Sequence, residues 1–292
     1  MQLPPPSGSL FNTTWSHVLV PSIRVVYLLL LGLSFYLWTQ DEPLVKQDQT
    51  YHTFADPGLF WNLLSNAAFP IGFLLSGWPY GPFDVWTVDP KEVPFMPTLP
   101  AFKLFSLLTS VAVPVGSVYY HVDPNDSTLG WDRFPMTLAF ACTSLILLHD
   151  VYGVKFKRSL FYEWLIASLF SALWWRFSGD VTLYGFVQFV SILLPFKTIR
   201  TAWSDRYIKH TPQGNLIFAL CLYILAKVCE TLDRPIYTLT AHVVSGHSLK
   251  HVLAGAGCMF IYRYGLLQIR AATQASQKDE RQPLASIRSQ EL

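Results

Sequence analysis

Charge is what this 292-residue chain has least of: Asp, Glu, Lys and Arg together make up 14% of it, where a soluble domain carries about 25%. Hydrophobic residues reach 51%, with 10 Trp, 14 Tyr and 21 Phe, so most of the surface must face something other than water. A net charge of +2 supplies no field for a nucleic-acid backbone, and no Gly-rich phosphate loop occurs; nucleic acid is excluded as a partner. Cysteine is scarce as well. Cys142, Cys221, Cys229 and Cys258 all fall in apolar runs without a C-x-x-C spacing, which reads as small buried hydrophobes rather than a disulfide frame. There is no soluble domain and no repeat of fixed period.

Long apolar runs are what the chain does have. Stretches long enough to cross about 30 Å of hydrocarbon lie near residues 20–38, 62–78, 102–121, 133–150, 160–176, 181–199, 214–232 and 249–269. They predict an all-α membrane protein. The first run is too long for a signal h-region and lacks a small-x-small cleavage site, so it reads as a retained helix. The Pro-rich link 79–101 reads as turns or a short re-entrant piece, and the polar tail 271–292 as disordered.

Eight crossings place both termini on one side. That side collects Lys91, Lys103, Lys155, Lys157, Arg158, Lys197, Arg200, Arg206, Lys209, Arg270, Lys278, Arg281 and Arg288, against Lys46, Arg133, Arg176, Arg234 and Lys250 on the other. The positive-inside rule makes the termini cytoplasmic.

On the opposite, lumenal or extracytoplasmic side four ionisable groups meet at one depth. Ser117 and His121 are one helical turn apart at the end of the third run, and His247 and His251 repeat that spacing at the start of the eighth. Asp132 opens the fourth run across a short polar bridge. An H-x-x-x-H pair presents two imidazoles to one metal, and a third would complete a ligand set that leaves Zn²⁺ an open position for water. A neighbouring carboxylate can orient that water and carry its proton. Each piece alone has an ordinary reading as a helix-end or core residue; together, at the lip of a membrane bundle, they point to a metal site. Lys227 and Glu230 read as a structural pair, with Asp233 and Arg234 capping the seventh run. His149 and Asp150 fall at the far lip, and His242 reads as a solvated loop residue.

The segments GSVYYH, WDRFPMT, SGHSLKH and FWNLLSN, in that set of positions, resemble the alkaline ceramidase family, within a wider superfamily of seven-helix membrane hydrolases and adiponectin/progestin-type receptors. The likeness covers residues 56–269. It implies a seven-transmembrane-helix bundle over residues 56–270, preceded by an N-terminal segment (1–55) with one additional transmembrane helix and followed by the tail 271–292. It also implies Zn²⁺ held by His121, His247 and His251, with Asp132 contacting the reacting water and Ser117 stabilising an oxyanion. Asn62, Ser65 and Asn66 match the family's N-x-x-S-N and serve either the site or helix-to-helix hydrogen bonding. Leu59 stands where calcium-binding members carry an acid, and Asp41, Glu42, Asp48 and Asp56 do not match their acidic cluster, so calcium is not expected. The expected activity is hydrolysis of the amide bond of ceramide-like N-acyl sphingolipids drawn from the bilayer. A lipid receptor or sensor with the same zinc site is the alternative. A proton- or ion-coupled transporter is a third reading, disfavoured because the ionisable groups gather at one lip.

Overall fold

The computed structural model describes residues 16–77, 81–89, 91, 93, 96–197 and 212–288, with side chains described from His17 to Gln274. Eight long helices account for most of it: α1 Ser16–Trp38, α2 Leu59–Ser76, α3 Leu99–Val122, α4 Asp126–Asp150, α5 Arg158–Ser178, α6 Thr182–Leu193, α7 Gln213–Thr231 and α8 Gly246–Arg288. Among the described residues there is no strand, only an isolated bridge between Lys46 and Asp180.

Among the described residues five helices are long and apolar enough to cross a membrane: α1, α2, α3, α7 and the Gly246–Gln274 part of α8. Eight were expected. α4 and α5 have the length, but Asp132, Arg133 and Asp150 in one, and Arg158, Glu163 and Arg176 in the other, lower their mean hydropathy. α6 has 12 residues. Arg200, Arg206 and Lys209, part of the charge bias, lie outside the described residues. α8 runs on as helix to Arg288, into the tail segment 271–292. Ala, Gln, Lys, Glu and Arg dominate that stretch and favour helix without needing a buried face. Residues 289–292 lie outside the described residues. Among its described residues the 79–101 link contributes one short helical turn, Asp84–Thr87, before α3 starts at Leu99.

Local chemistry explains the helix ends that matter. Asn125 caps α4, its side chain accepting from the Ser127 and Thr128 amides at 2.9 and 3.1 Å, while Thr128 reciprocates toward the Asn125 amide. α5 stops at Gly179, whose φ of 73° is the left-handed C-terminal conformation that glycine adopts freely. Cys142 and Cys229 are buried, whereas Cys221 is exposed on the outer face of α7; none is paired.

α3 packs on α4, α4 on α5 and α6, and α8 on α2 and α7. At the level of the candidate site, α3 and α4 meet backbone to backbone. A Cβ added at Gly116 would lie 2.2 Å from the Trp131 carbonyl oxygen and 3.2 Å from the Asp132 Cα. Pro135, four residues after Trp131, has no N–H to give that carbonyl, so the oxygen faces α3 rather than its own helix. α1 lies outside this bundle, packing on α6. Arg24 forms a bidentate pair with Glu163, both bonds at 2.6 Å. Its far end is held by Asp180, which accepts from the Ser34 hydroxyl and from the Leu44 and Val45 amides. Enclosure alone would raise the Asp180 carboxyl, but hydrogen bonds from Ser34, Thr182 and Val45 hold it below the usual carboxylate range.

Substituting Gly116→Ala should force α3 and α4 apart and cost about 1–3 kcal/mol, read as a lowered unfolding midpoint in detergent. At Gly185 an added methyl meets nothing within 4 Å, and Gly185→Ala should leave the midpoint unchanged or slightly raised. Equal midpoints for the two variants would rule out the close contact.

Candidate metal centre and cavity

The end of α3 carries Ser117 and His121, and the start of α8 carries His247 and His251; all four are buried. Ser245 starts α8, its hydroxyl oxygen accepting from the Ser248 amide at 3.1 Å, and the His247 amide donates to Asp233 Oδ1 at 2.7 Å. Asp233 therefore fixes the entry to α8; it does not cap α7. Gly246 allows the close start, since a Cβ there would fall 2.1 Å from the Cys229 carbonyl oxygen of α7.

The three imidazoles converge. One ligand nitrogen from each of His121, His247 and His251 lies within 4.8 Å of the other two. His121 Nε2 and His247 Nε2 are 3.2 Å apart, a separation at which two neutral rings must share a proton or a cation. Bonds of about 2.0–2.1 Å in a tetrahedral set place two ligand nitrogens about 3.3 Å apart, so this pair fits a metal as it stands. His251 Nδ1 meets the Ser65 hydroxyl at 2.9 Å, which leaves Nε2 as its free ligand atom. His121 Nδ1 has no hydrogen-bond partner, nor does Asp132 Oδ1, and both atoms are buried. The three histidines form a donor set able to hold a metal ion.

The N-x-x-S-N residues stand directly behind this cluster. Ser65 engages His251 as described, and Asn66 Nδ2 donates to the Asn62 carbonyl at 2.8 Å, with a longer 3.4 Å approach to His251 Nδ1. Asn62 accepts from the Ser248 hydroxyl at 3.2 Å and donates to the Asp56 and Gly58 carbonyls at 3.1 and 3.0 Å. The motif thus ties α2 to α8 and orients one imidazole.

Several neighbours were not singled out from sequence. The connector between α1 and α2 crosses the site end as a strap and is anchored at three points, through Asp180, through Asp126 at the start of α4, which meets Gln49 and His52 at 3.2 and 3.0 Å, and through Asp233, which accepts from the Ala55 amide at 2.8 Å. From this strap Phe54 covers His121 and His247 with ring centroids 4.6 and 4.5 Å away. A boundary between residues 55 and 56 leaves Phe54 on the N-terminal side although it roofs the histidines. Tyr51 donates to Glu230 at 3.2 Å. Burial, with the Glu230 and Asp132 carboxylates nearby, pushes its hydroxyl far above the usual tyrosine range, so it stays a donor.

Glu230 does pair with Lys227, at 2.7 Å, and it also takes Lys250 at 3.0 Å. Lys250 Nζ in turn lies 3.3 Å from His247 Nε2. Lys250 sits inside SGHSLKH, three residues past His247, and helical spacing alone could have placed it at the site. Arg133 is 6% exposed, with its guanidinium carbon 4.1 Å from the Trp175 ring centroid and 4.9 Å from that of Tyr184. Two sequence candidates lie elsewhere: His149 bonds the Val154 carbonyl at 2.8 Å at the far end of α4, and His242 meets the Tyr237 ring edge-on at 5.0 Å.

Ser117, Asp132 and His251 line the head of a cavity of about 180 Å³ that continues between α2, α3, α4, α6, α7 and α8. Below the head its walls are mainly apolar, including Phe69, Phe105, Leu147 and Leu216. No protein-family model, curated protein or solved structure matches the chain.

Elemental analysis of gently purified protein should find one metal ion per chain, and His247→Ala and His251→Ala should each lose most of it. Stoichiometric metal in both variants would overturn the ligand set.

Proposed function

We propose that this protein is a zinc-dependent membrane amidase that cleaves ceramide-like N-acyl lipids into a fatty acid and a sphingoid base. One observation carries the reading: three imidazoles converge, and one of them, His251, lines the head of a mainly apolar cavity together with Asp132, whose Oδ1 has no partner, in an all-helical, membrane-compatible bundle. The motifs shared with the alkaline ceramidases support it. His121, His247 and His251 would hold the metal. Zinc in such a set supplies Lewis acidity and lowers the pKa of water toward ~7.

The chain's own residues do the rest. Asp132 takes the proton of the attacking water at its open oxygen as water adds to the amide carbon, then returns it to the nitrogen as the C–N bond breaks. The Ser117 hydroxyl donates to the carbonyl oxygen as charge develops there. The cavity keeps the acyl chain in an apolar medium while the amide is held at the head. Ser65 and the Asn62–Ser248 link fix the ring of His251.

The architecture that goes with this reading is a core of seven spans, α2 to α8, plus α1, with both termini cytoplasmic and the metal end lumenal or extracytoplasmic, as the charge distribution favours. Thiols introduced into the 122–131 loop should then react with an impermeant reagent in sealed right-side-out vesicles, whereas thiols beyond residue 270 should not. The reverse pattern would invert the orientation.

Asp132→Asn keeps the shape but removes the proton acceptor, and Ser117→Ala removes one oxyanion donor, a loss that typically costs 10²–10³-fold, roughly, in turnover. Both variants should retain metal and fold while releasing far less fatty acid from ceramide-like substrates. A zinc-loaded wild type that releases no fatty acid from a panel of N-acyl lipids at any pH between about 6 and 10, a window around the ~7 of zinc-activated water, would sink the amidase in favour of a lipid sensor.

A further inference from the structure

Lys250 stands three residues after His247 and one before His251 on α8, so its side chain emerges on the face that carries both imidazoles. It lines the cavity head together with Ser117, Asp132 and His251, and its Nζ lies 3.3 Å from the ligand nitrogen of His247. A four-carbon stem usually lets the charge of a lysine wander into water. Here the side chain is 17% exposed and tied to α7, where Glu230 Oε1 accepts from Nζ at 3.0 Å. That carboxylate is itself fixed, by Lys227 at 2.7 Å and by the Tyr51 hydroxyl at 3.2 Å.

The contact with His247 does not survive metal binding. An imidazole nitrogen has one lone pair, and at His247 Nε2, 3.2 Å from His121 Nε2, the metal takes it. Lys250 is then left beside a bound dication with one carboxylate partner and an N–H without an acceptor. Two cations so close repel strongly away from water, and a Met or Gln of similar length would fill the space without that repulsion. The arrangement becomes favourable when a negatively charged oxygen lies between the ammonium and the metal. Other donors at the head are already engaged: Tyr51 on Glu230, Asn66 Nδ2 on the Asn62 carbonyl and Lys227 on Glu230.

We propose that Lys250 is the anion-binding group of the cavity head and, in hydrolysis, a second donor to the substrate carbonyl oxygen, sharing with Ser117 the negative charge that develops as water adds to the amide carbon. The ammonium keeps its proton throughout. Its hydrogen bond is charge-assisted, about twice as strong as a neutral one, and is strongest when the oxygen carries full charge, which favours the transition state over the bound amide. After the C–N bond breaks, the same oxygen belongs to the fatty-acid carboxylate, which Lys250 also holds. Glu230 acts through Lys250 as a positioning residue. The catalytic half of this inference rests on the amidase reading; the anion-binding half does not.

Binding tests it without requiring hydrolysis. Metal-loaded protein in detergent is titrated with palmitate and with hexadecanol, following displacement of a fluorescent fatty alcohol. Lys250→Met keeps the stem and leaves Glu230 its bonds to Lys227 and Tyr51; it should weaken palmitate at least about tenfold, the value of a hydrogen bond to a charged group, with hexadecanol unchanged. Lys227→Met, which removes the same charge from the same carboxylate, should weaken palmitate far less. In competition with a chelator, Lys250→Met should hold metal at least as tightly as wild type, because a positive charge has left the ligand set. Fatty-acid release by Lys250→Met should fall roughly 100-fold through kcat, with KM little changed. Unchanged palmitate affinity in Lys250→Met, an equal loss in Lys227→Met, or loss of metal from Lys250→Met would overturn the assignment. A wild type that hydrolyses no N-acyl lipid yet shows the Lys250-dependent affinity for palmitate would remove the amidase and leave the anion site standing.

Discussion

The contact between Gly116 and the Trp131 carbonyl governs this structure. Two helices that carry polar catalytic-type side chains inside an apolar bundle can share a site only if their backbones come close, because Ser, His and Asp side chains are short. Glycine on α3 removes the side chain that would separate the helices, and proline on α4 leaves a carbonyl free to face the gap. Neither residue touches the metal set. Together they bring Asp132 to the depth of Ser117 and His121, and the cavity head follows from that.

A second constraint acts from above. Three interhelical turns at the site end each bring one carboxylate, Asp126 at the first residue of α4, Asp180 and Asp233, and each accepts from the strap between α1 and α2. Asp180 and Asp233 accept from backbone amides of the strap and Asp126 meets the Gln49 and His52 side chains; charged acceptors make such bonds strong, so the strap is registered against three helix pairs at once. Phe54 is carried to its place over the imidazoles by this registration rather than by any preference of its own. The strap also explains why α1, which packs largely on the outside of the bundle, matters to the site: its end and the strap share Asp180.

Much of this was legible from residue spacing. The pairs Ser117/His121 and His247/His251 share a helical face because they are four apart, and the apolar runs fixed their depth, so their meeting needed no tertiary knowledge. α2 begins at Leu59, three residues before the apolar run was expected to start at 62, because Phe60 and Trp61 extend the helix outward. Phe54, Tyr51 and Arg133 were not legible: their roles depend on which loops the strap crosses, and a single aromatic or arginine gives no periodic signal. Lys250 carried a signal, its position three after His247, but in sequence it counted only as a charge.

The histidine cluster joins the two ends of the core in time as well as in space. His121 and His247 are 126 residues apart, and at a synthesis rate of roughly 5–20 residues per second that gap takes about 6 to 25 seconds to translate. During that interval α3 and α4 already hold Ser117, His121 and Asp132, while the helix that pairs with them has not been made. Until α8 is made, the polar groups that α3 and α4 carry lack the imidazoles of His247 and His251 that they meet in the folded chain.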